Sequence, residues 1–271
     1  MPNRFLMCKP QYFDVSYVIN PWMAGNVHRV TRSQADAQWA TLHRLIQKTA
    51  EVRLIDPQPG LPDMPFTANA GLVVGDRAIV SNFRHPERKT EEKHFLRWFS
   101  DQGLHVHRLL DGIPFEGAGD ALLDRARSCV WMGYGHRSAR EAGTHVEKFF
   151  GLEVIALELT DPRFYHLDTC FCPLPRGYVM YYPGAFSSAS QLLIEGRVAR
   201  EQAIVVGEED AVQFACNAVN VGDKVILNDA SDTLLYALAR AGFHGVRSPL
   251  SEFLRAGGAS KCLTLRLEEA L

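Results

Sequence analysis

The chain has 271 residues, 46% hydrophobic and 22% charged, which suits a globular protein with a substantial core and excludes wholesale disorder. With 29 Lys+Arg against 31 Asp+Glu the formal net charge is -2, so neither nucleic acid nor an anionic membrane surface is an expected partner. The longest apolar runs, such as 72–74 and 154–157, are far too short to span a bilayer, and the opening Met1-Pro2-Asn3-Arg4-Phe5 lacks the apolar stretch of a secretion signal; the expected address is the cytoplasm.

Short β-like runs alternate with amphipathic helical stretches along the chain. Strands are expected over 4–7, 52–54, 71–74, 78–80 and 106–109, then over 129–132, 154–159, 177–181, 203–206, 224–227 and 262–267. A helix over 34–50 places Trp39, Leu42, Leu45 and Ile46 on one face, and one over 93–102 does the same with Phe95, Leu96 and Phe99. A third, over 231–241, carries Leu234, Leu235 and Leu238 and stops at Gly242. The stretch 72–80, with Gly75-Asp76 between two apolar runs, predicts a hairpin. Hairpins mixed with helices favour α+β units over a doubly wound nucleotide fold. Gly117-Ala118-Gly119 also lacks the third glycine and the preceding apolar strand of a phosphate loop, so nucleotide binding is disfavoured. No Pro/Ser-rich linker or long charge run divides the chain, and residues 1–271 are read as a single catalytic domain.

The six cysteines, Cys8, Cys129, Cys170, Cys172, Cys216 and Cys262, do not read as a disulfide framework in a chain of this length without an export signal. Cys170 and Cys172 have no second Cys/His pair at ligand spacing, so no metal is expected.

Three clusters hold the residue types that do chemistry. In Pro114-Phe115-Glu116-Gly117-Ala118-Gly119-Asp120 the glycines make a helix unfavourable and let the backbone bring a carboxylate close to a ligand; the plainer reading is a surface turn with two solvated acids. If Phe164-Tyr165-His166-Leu167-Asp168-Thr169-Cys170-Phe171-Cys172 is extended, His166 and Asp168 point to one side. That pair is either an acid/base arrangement or a core histidine satisfied by a neighbouring acid. In Ala256-Gly257-Gly258-Ala259-Ser260-Lys261-Cys262, small residues lead into a β-like run that starts at Cys262. A thiol at the mouth of a strand is both accessible and held, whereas a structural cysteine sits mid-strand, as read for Cys129. Together the clusters offer a nucleophilic thiol, a histidine for proton transfer, and carboxylates. Acids around a thiol raise its pKa unless a bound cation compensates. A guanidinium is such a cation, and its planar fork matches carboxylates bidentately.

Phe66-Thr67-Ala68-Asn69-Ala70, Phe115-Glu116-Gly117-Ala118-Gly119-Asp120, His166-Leu167-Asp168-Thr169 and Cys262, in this order, resemble the motifs of the guanidine-modifying (pentein) superfamily. That superfamily includes dimethylarginine dimethylaminohydrolases, arginine deiminases and amidinotransferases. Phe13-Asp14-Val15-Ser16-Tyr17-Val18-Ile19-Asn20-Pro21-Trp22-Met23, Asn217-Ala218-Val219-Asn220 and Gly257-Gly258-Ala259-Ser260-Lys261-Cys262 are similar to the arginine dihydrolase domain of bifunctional arginine dihydrolase/ornithine cyclodeaminase enzymes, here expected to stand alone. The resemblance implies an α/β fold, a five-bladed α/β propeller of pseudo-five-fold ββαβ-like units around a central site.

For the residues, the resemblance implies Cys262 as the nucleophile, His166 as acid and base, and Glu116 and Asp168 gripping the guanidinium. Asp120 is implied to orient His166 or brace its loop, and Arg88 and Arg137 to bind the substrate's α-carboxylate. Asn69 stands where relatives that release citrulline generally carry an acid. A neutral amide there suits a retained citrulline, attacked a second time to give ornithine, carbon dioxide and two ammonia, with Asn20 supporting that step. Release of citrulline, amidinotransfer and an arginine-sensing module are the alternatives. No cofactor is implied. The expected partner is a small guanidino substrate, and the residues leave a homo-oligomer open.

Overall fold

The computed structural model describes residues 3–267. Strand β1 (Arg4–Cys8) leads through helix α1 (Arg32–Gln47) to β2 (Glu51–Ile55), which runs parallel to it. Four further units then repeat one order: two antiparallel strands, a helical connection, and a third strand parallel to the second. The first is β3 (Gly71–Val74), β4 (Arg77–Val80), α2 (Pro86–Lys89), α3 (Glu92–Asp101) and β5 (His105–His107). Next come β6 (Ala121–Asp124), β7 (Cys129–Tyr134), α4 (Ala142–Phe150) and β8 (Glu153–Glu158). The third is β9 (Phe171–Pro173), β10 (Val179–Tyr181), α5 (Ser188–Arg197) and β11 (Ala203–Val205). After α6 (Glu208–Ala211) follow β12 (Val219–Val221), β13 (Lys224–Leu227), α7 (Asp232–Arg240) and β14 (His244–Arg247).

Past α8 (Ser251–Leu254), the last strand, β15 (Leu265–Arg266), returns to pair antiparallel with β1, placing Phe5 opposite Arg266. It supplies the member that the first unit lacked, so five three-stranded sheets close into one ring. This is the five-unit α/β propeller implied by the resemblance.

The first strand of each unit faces the axis. Leu72, Leu122, Phe171, Val219 and Leu265, one from each, line an axial cavity. The outermost strands β5 and β14 are the wetter ones. Apolar clusters fill the seams between units: Trp131, Phe171, Val225 and Leu238 in one, Leu72, Phe95, Phe99 and Val130 in the next, Phe5, Trp39, Leu42 and Phe253 in the third. No helix of the described residues is long and apolar enough to cross a membrane.

Local chemistry accounts for most of the expected elements. The 72–80 hairpin forms, turning at Gly75 with φ 62°. Ser187 and Ser231 accept from Ser190 N and Leu234 N to start α5 and α7, and Gly151 at φ 71° ends α4. Strands β6, β9, β12 and β14 were not expected. Ala-Leu-Leu-Asp, Phe-Cys-Pro, Val-Asn-Val and His-Gly-Val-Arg are too short or too polar to show a period of two. Helices α4 and α5 were likewise unread. The strand expected over 262–267 shrinks to Leu265–Arg266, and Cys262 lies in the tight turn before it. Cys129 opens its strand rather than sitting in the middle.

Candidate active site

The turns that deliver the chain into the first strands carry the polar residues to one end of the axis. Three of them are 3-10 turns, over Thr67–Ala70, Gly117–Gly119 and Leu167–Thr169. The second is a single 3-10 turn and not an α-helix, as the unfavourable glycines lead one to expect. It works because Gly117 takes φ 58° and presses against the Gly71 backbone, where a Cβ would lie 2.7 Å from Gly71 N. Nor is it a surface turn, since Glu116 and Asp120 are 0% and 1% exposed. The third corrects the extended reading: His166 is extended, but Asp168 sits within the turn, and the chain is a strand again only from Phe171.

Asp168 meets the thiol. Cys262 Sγ lies 3.5 Å from Asp168 Oδ2 and 3.7 Å from Oδ1, both residues buried. Burial, then Asp168, push the Cys262 thiol well above its ordinary pKa, so it rests protonated. Asp168 itself is pushed up to about 7 by burial, against the pull of Lys261 and of hydrogen bonds from Cys262 and Asn217. A cation bound between them would lower both.

His166 Nε2 and Glu116 Oε2 are 2.7 Å apart and must share a proton, which leaves Nδ1 as the ring's other polar face. Burial raises the Glu116 pKa, but Arg137, His166 and Arg88 outweigh it and hold the carboxyl well below the usual range. Its oxygens also accept from Arg84 N (3.1 Å) and Arg137 Nη1 (3.1 Å). Asp120 Oδ2 accepts from Ser138 N and Oγ, and Oδ1 from Leu167 N; these bonds tie the Glu116 and His166 turns together. Of the two roles expected for Asp120, bracing is the one these bonds perform.

A small pocket lies beside the thiol, lined by Asn20, Asp63, Asn69, Arg88, Arg137, Tyr165 and Cys262 among others. Arg88 is locked by both Glu91 oxygens (3.0 and 2.7 Å), stacks on Phe83, and donates through Nη1 to Asn69 Oδ1 at 2.8 Å. That bond fixes the Asn69 amide, and its Nδ2 is buried with no protein partner. Gly119 separates Asn69 from the histidine: a Cβ there would meet Asn69 Nδ2 at 2.3 Å and His166 Cγ at 3.3 Å. Arg137 reaches Ile19 O at 2.8 Å and lies over the Tyr165 ring. Asn20 lines the pocket, but its amide works locally, capping Trp22 N and Met23 N and donating to Ala256 O.

Asp63 and Asn217 had no role in the sequence reading. Asp63, which lines the pocket, accepts from Tyr17 Oη at 2.8 Å, while its Oδ1 is buried and unpartnered. Its signal was an acid between two prolines, Pro62-Asp63-Met64-Pro65, just before the Asn69 motif. Asn217 lies in a quoted motif, but nothing in the residue order says that its amide grips the Cys262 turn. Buried polar atoms without partners are costly and rare in folded proteins. Here the unpaired Asn69 donor and Asp63 acceptor belong to one cavity, which is what a ligand-completed site looks like.

The family model for N,N dimethylarginine dimethylhydrolase, eukaryotic, matches residues 17–268. The bifunctional arginine dihydrolase/ornithine cyclodeaminase AgrE of Nostoc sp. is 54% identical over 98% of this chain, which spans 38% of that protein's length. The N(G),N(G)-dimethylarginine dimethylaminohydrolase of Mycobacterium tuberculosis is 41% identical over 98% of this chain and 86% of its own. Crystal structures of the N-terminal domain of ArgZ, an arginine dihydrolase from cyanobacteria, superpose closely and are 52% identical. The product-bound one has a TM-score of 0.99 over 100% of this chain and 99% of that one. A variant covalently bonded to a reaction intermediate has 0.98 over 99% and 98%.

Proposed function

Because the chain belongs to the dimethylarginine dimethylaminohydrolase family, we propose that it is a cysteine-dependent hydrolase of the arginine guanidinium, and specifically an arginine dihydrolase. The observation that carries this reading is the pocket itself. It combines a thiol 3.5 Å from a carboxylate with an unpartnered amide donor, an unpartnered carboxylate oxygen and two buried arginines. Arg88 and Arg137 take the α-carboxylate, and Asp63 Oδ1 takes the α-ammonium, which leaves the guanidinium at the Asp168–Cys262 end.

The cation makes ionisation of Cys262 favourable, its proton leaving as the substrate enters. The thiolate attacks the guanidinium carbon, an S–C bond forms, and His166, held by Glu116, hands a proton to the departing nitrogen, which leaves as ammonia. His166 then takes a proton from water, the hydroxide adds to the thiouronium carbon, and the S–C bond breaks to give citrulline. The fixed orientation of Asn69 favours a second round. With Oδ1 engaged by Arg88, Nδ2 is left to donate to the ureido oxygen of citrulline. A repeat of the cycle releases the second ammonia and a carbamate that falls to ornithine and carbon dioxide. Arginine and two waters thus balance against ornithine, carbon dioxide and two ammonia. The relatives support this reading: AgrE and ArgZ are named for arginine dihydrolase activity. Asn20 stiffens the pocket wall for both rounds, and a cytoplasmic setting suits six cysteines that are all unbridged.

Incubating the purified protein with arginine and counting citrulline, ornithine and ammonia tests the proposal. Ornithine with two equivalents of ammonia is the expected result. Citrulline with one equivalent at completion would make the chain a deiminase, and no consumption of arginine would overturn the substrate.

A further inference from the structure

Asn217 stands two residues before β12, as Asn69 stands two before β3, so the repeat brings both amides to the same end of the axis. Its side chain is wholly buried and bonds across to the nucleophile's turn. Oδ1 accepts from the backbone N–H groups of Ala259 (3.1 Å), Lys261 (3.0 Å) and Cys262 (3.1 Å). Nδ2 donates to Asp168 O at 3.0 Å and to Cys262 Sγ at 3.1 Å. The three N–H groups decide the amide's orientation, because reversing it would set an NH2 against three donors. The nitrogen is therefore forced onto the sulfur. Phe214, at φ 57° and packed on Trp22 and Phe164, begins the turn that presents Asn217.

We propose that Asn217 is a catalytic hydrogen-bond donor to the Cys262 thiolate, aiming the sulfur with its oxygen and stabilising the anion with its nitrogen. The proposal rests on Cys262 being the nucleophile. Other groups facing the thiol are Asp168 from the neighbouring turn, Lys261 on its own turn and Tyr165; Asp63, Arg88 and Arg137 stand across the pocket. Burial and Asp168 both oppose the thiolate, and Lys261 directs its Nζ to Ala118 O at 3.1 Å. A neutral donor offsets this without competing for the guanidinium. It is also selective along the reaction: sulfur is a strong acceptor as a thiolate and a weak one once bonded to carbon. The bond therefore favours the states that attack and that regenerate the enzyme.

The test uses two variants of the full chain. Asn217→Asp keeps the oxygen that holds the turn and exchanges the donor for an acceptor, and Asn217→Ser is the neutral control for the added charge. The readout is the pH dependence of Cys262 alkylation by iodoacetamide, followed on the Cys262 peptide, together with kcat and KM for arginine. We expect the alkylation midpoint to rise by about one pH unit or more in both variants. kcat should fall about 10- to 100-fold, with KM within about threefold of the parent. A midpoint within about 0.3 unit of the parent in a folded variant, with kcat and KM worsening together, would overturn the proposal in favour of a purely structural clamp. If Asn217→Ser fails to fold, Asn217→Ala takes its place as the neutral control. Cys262→Ser separates the underlying reading: retained hydrolysis there would show that the nucleophile, not Asn217, was misassigned.

Discussion

One buried side chain engages the amide of Asn69: Arg88 takes the oxygen, and the nitrogen is left to the pocket. Replacing Asn69 with Asp keeps the partner for Arg88 and removes the donor. Arginine consumption should then stay within about tenfold of the parent while citrulline accumulates in place of ornithine, read from a product time course. Behind it, Glu91 holds Arg88 with both oxygens in a fully buried pair. Glu91→Gln keeps an acceptor for Arg88 and, with Glu91 itself pushed up to about 7, should cost only about 1 kcal/mol in denaturant unfolding at neutral pH, with a raised KM for arginine. The residues proposed as reactive stand out in the sequence because each sits in a short distinctive motif, Glu116 and Cys262 close to glycines and His166 two before Asp168. Their partners do not. Asp63 and Asn217 matter through contacts from other parts of the chain, and an isolated acid or amide shows nothing of what it faces.

At the scale of elements, the site depends on turns too short for periodicity to reveal. The 3-10 turn over Gly117–Gly119 places Glu116 under His166 and Asp120 under Ser138, and it exists because Gly117 adopts a positive φ against the Gly71 backbone. Alanine at Gly117 meets backbone that cannot swing aside and also strains its own conformation. Gly117→Ala should therefore lose more than about 2 kcal/mol of stability in urea and nearly all activity. Adding a methyl at Gly75, which is equally left-handed but has no atom within 4 Å of its would-be Cβ, should cost only about 1 kcal/mol and leave turnover intact. The helices α1, α3 and α7 were legible to within a few residues, because each carries an apolar stripe such as Trp39, Leu42 and Ile46 that must face the core. The first strands were legible only in part. β3 has two valines after its turn, but β6 is Ala-Leu-Leu-Asp and β9 ends in proline, so their pairing is set by neighbours already in place.

Over the whole molecule, closure of the ring by β15 against β1 gathers acids from several units into one dry centre, and that concentration has a price in pH. Burial pushes Glu91 and Asp168 up to about 7 and Asp120 up to about 6, above their values in an unfolded chain. The folded state therefore binds more protons than the unfolded one across that interval. The stability these groups allow is fully present below the unfolded carboxylate range and lost as pH rises through 6 to 7. Glu116 runs the other way: its carboxyl is held down, so its contribution is present at neutral pH and lost only in acid. Histidines lowered by burial, such as His43 and His136, run the opposite way, their contribution being lost as pH falls through the ordinary histidine range. Between pH 6.5 and 8 the two trends oppose each other, so the acid is read from the difference between the parent and Asp168→Asn. Relative to that variant, unfolding free energy of the ligand-free parent should fall across the window by about 1 kcal/mol. The thermal midpoint should drop by about 2–4 °C for each kilocalorie. Asp168→Asn should remove part of the slope. Arginine bound to the Cys262→Ser variant should remove a similar part, because the guanidinium stabilises the ionised Asp168. Calorimetry of the three proteins at matched salt decides it. A slope unaffected by Asp168→Asn would mean that the carboxylate beside the thiol is already ionised before the cation arrives.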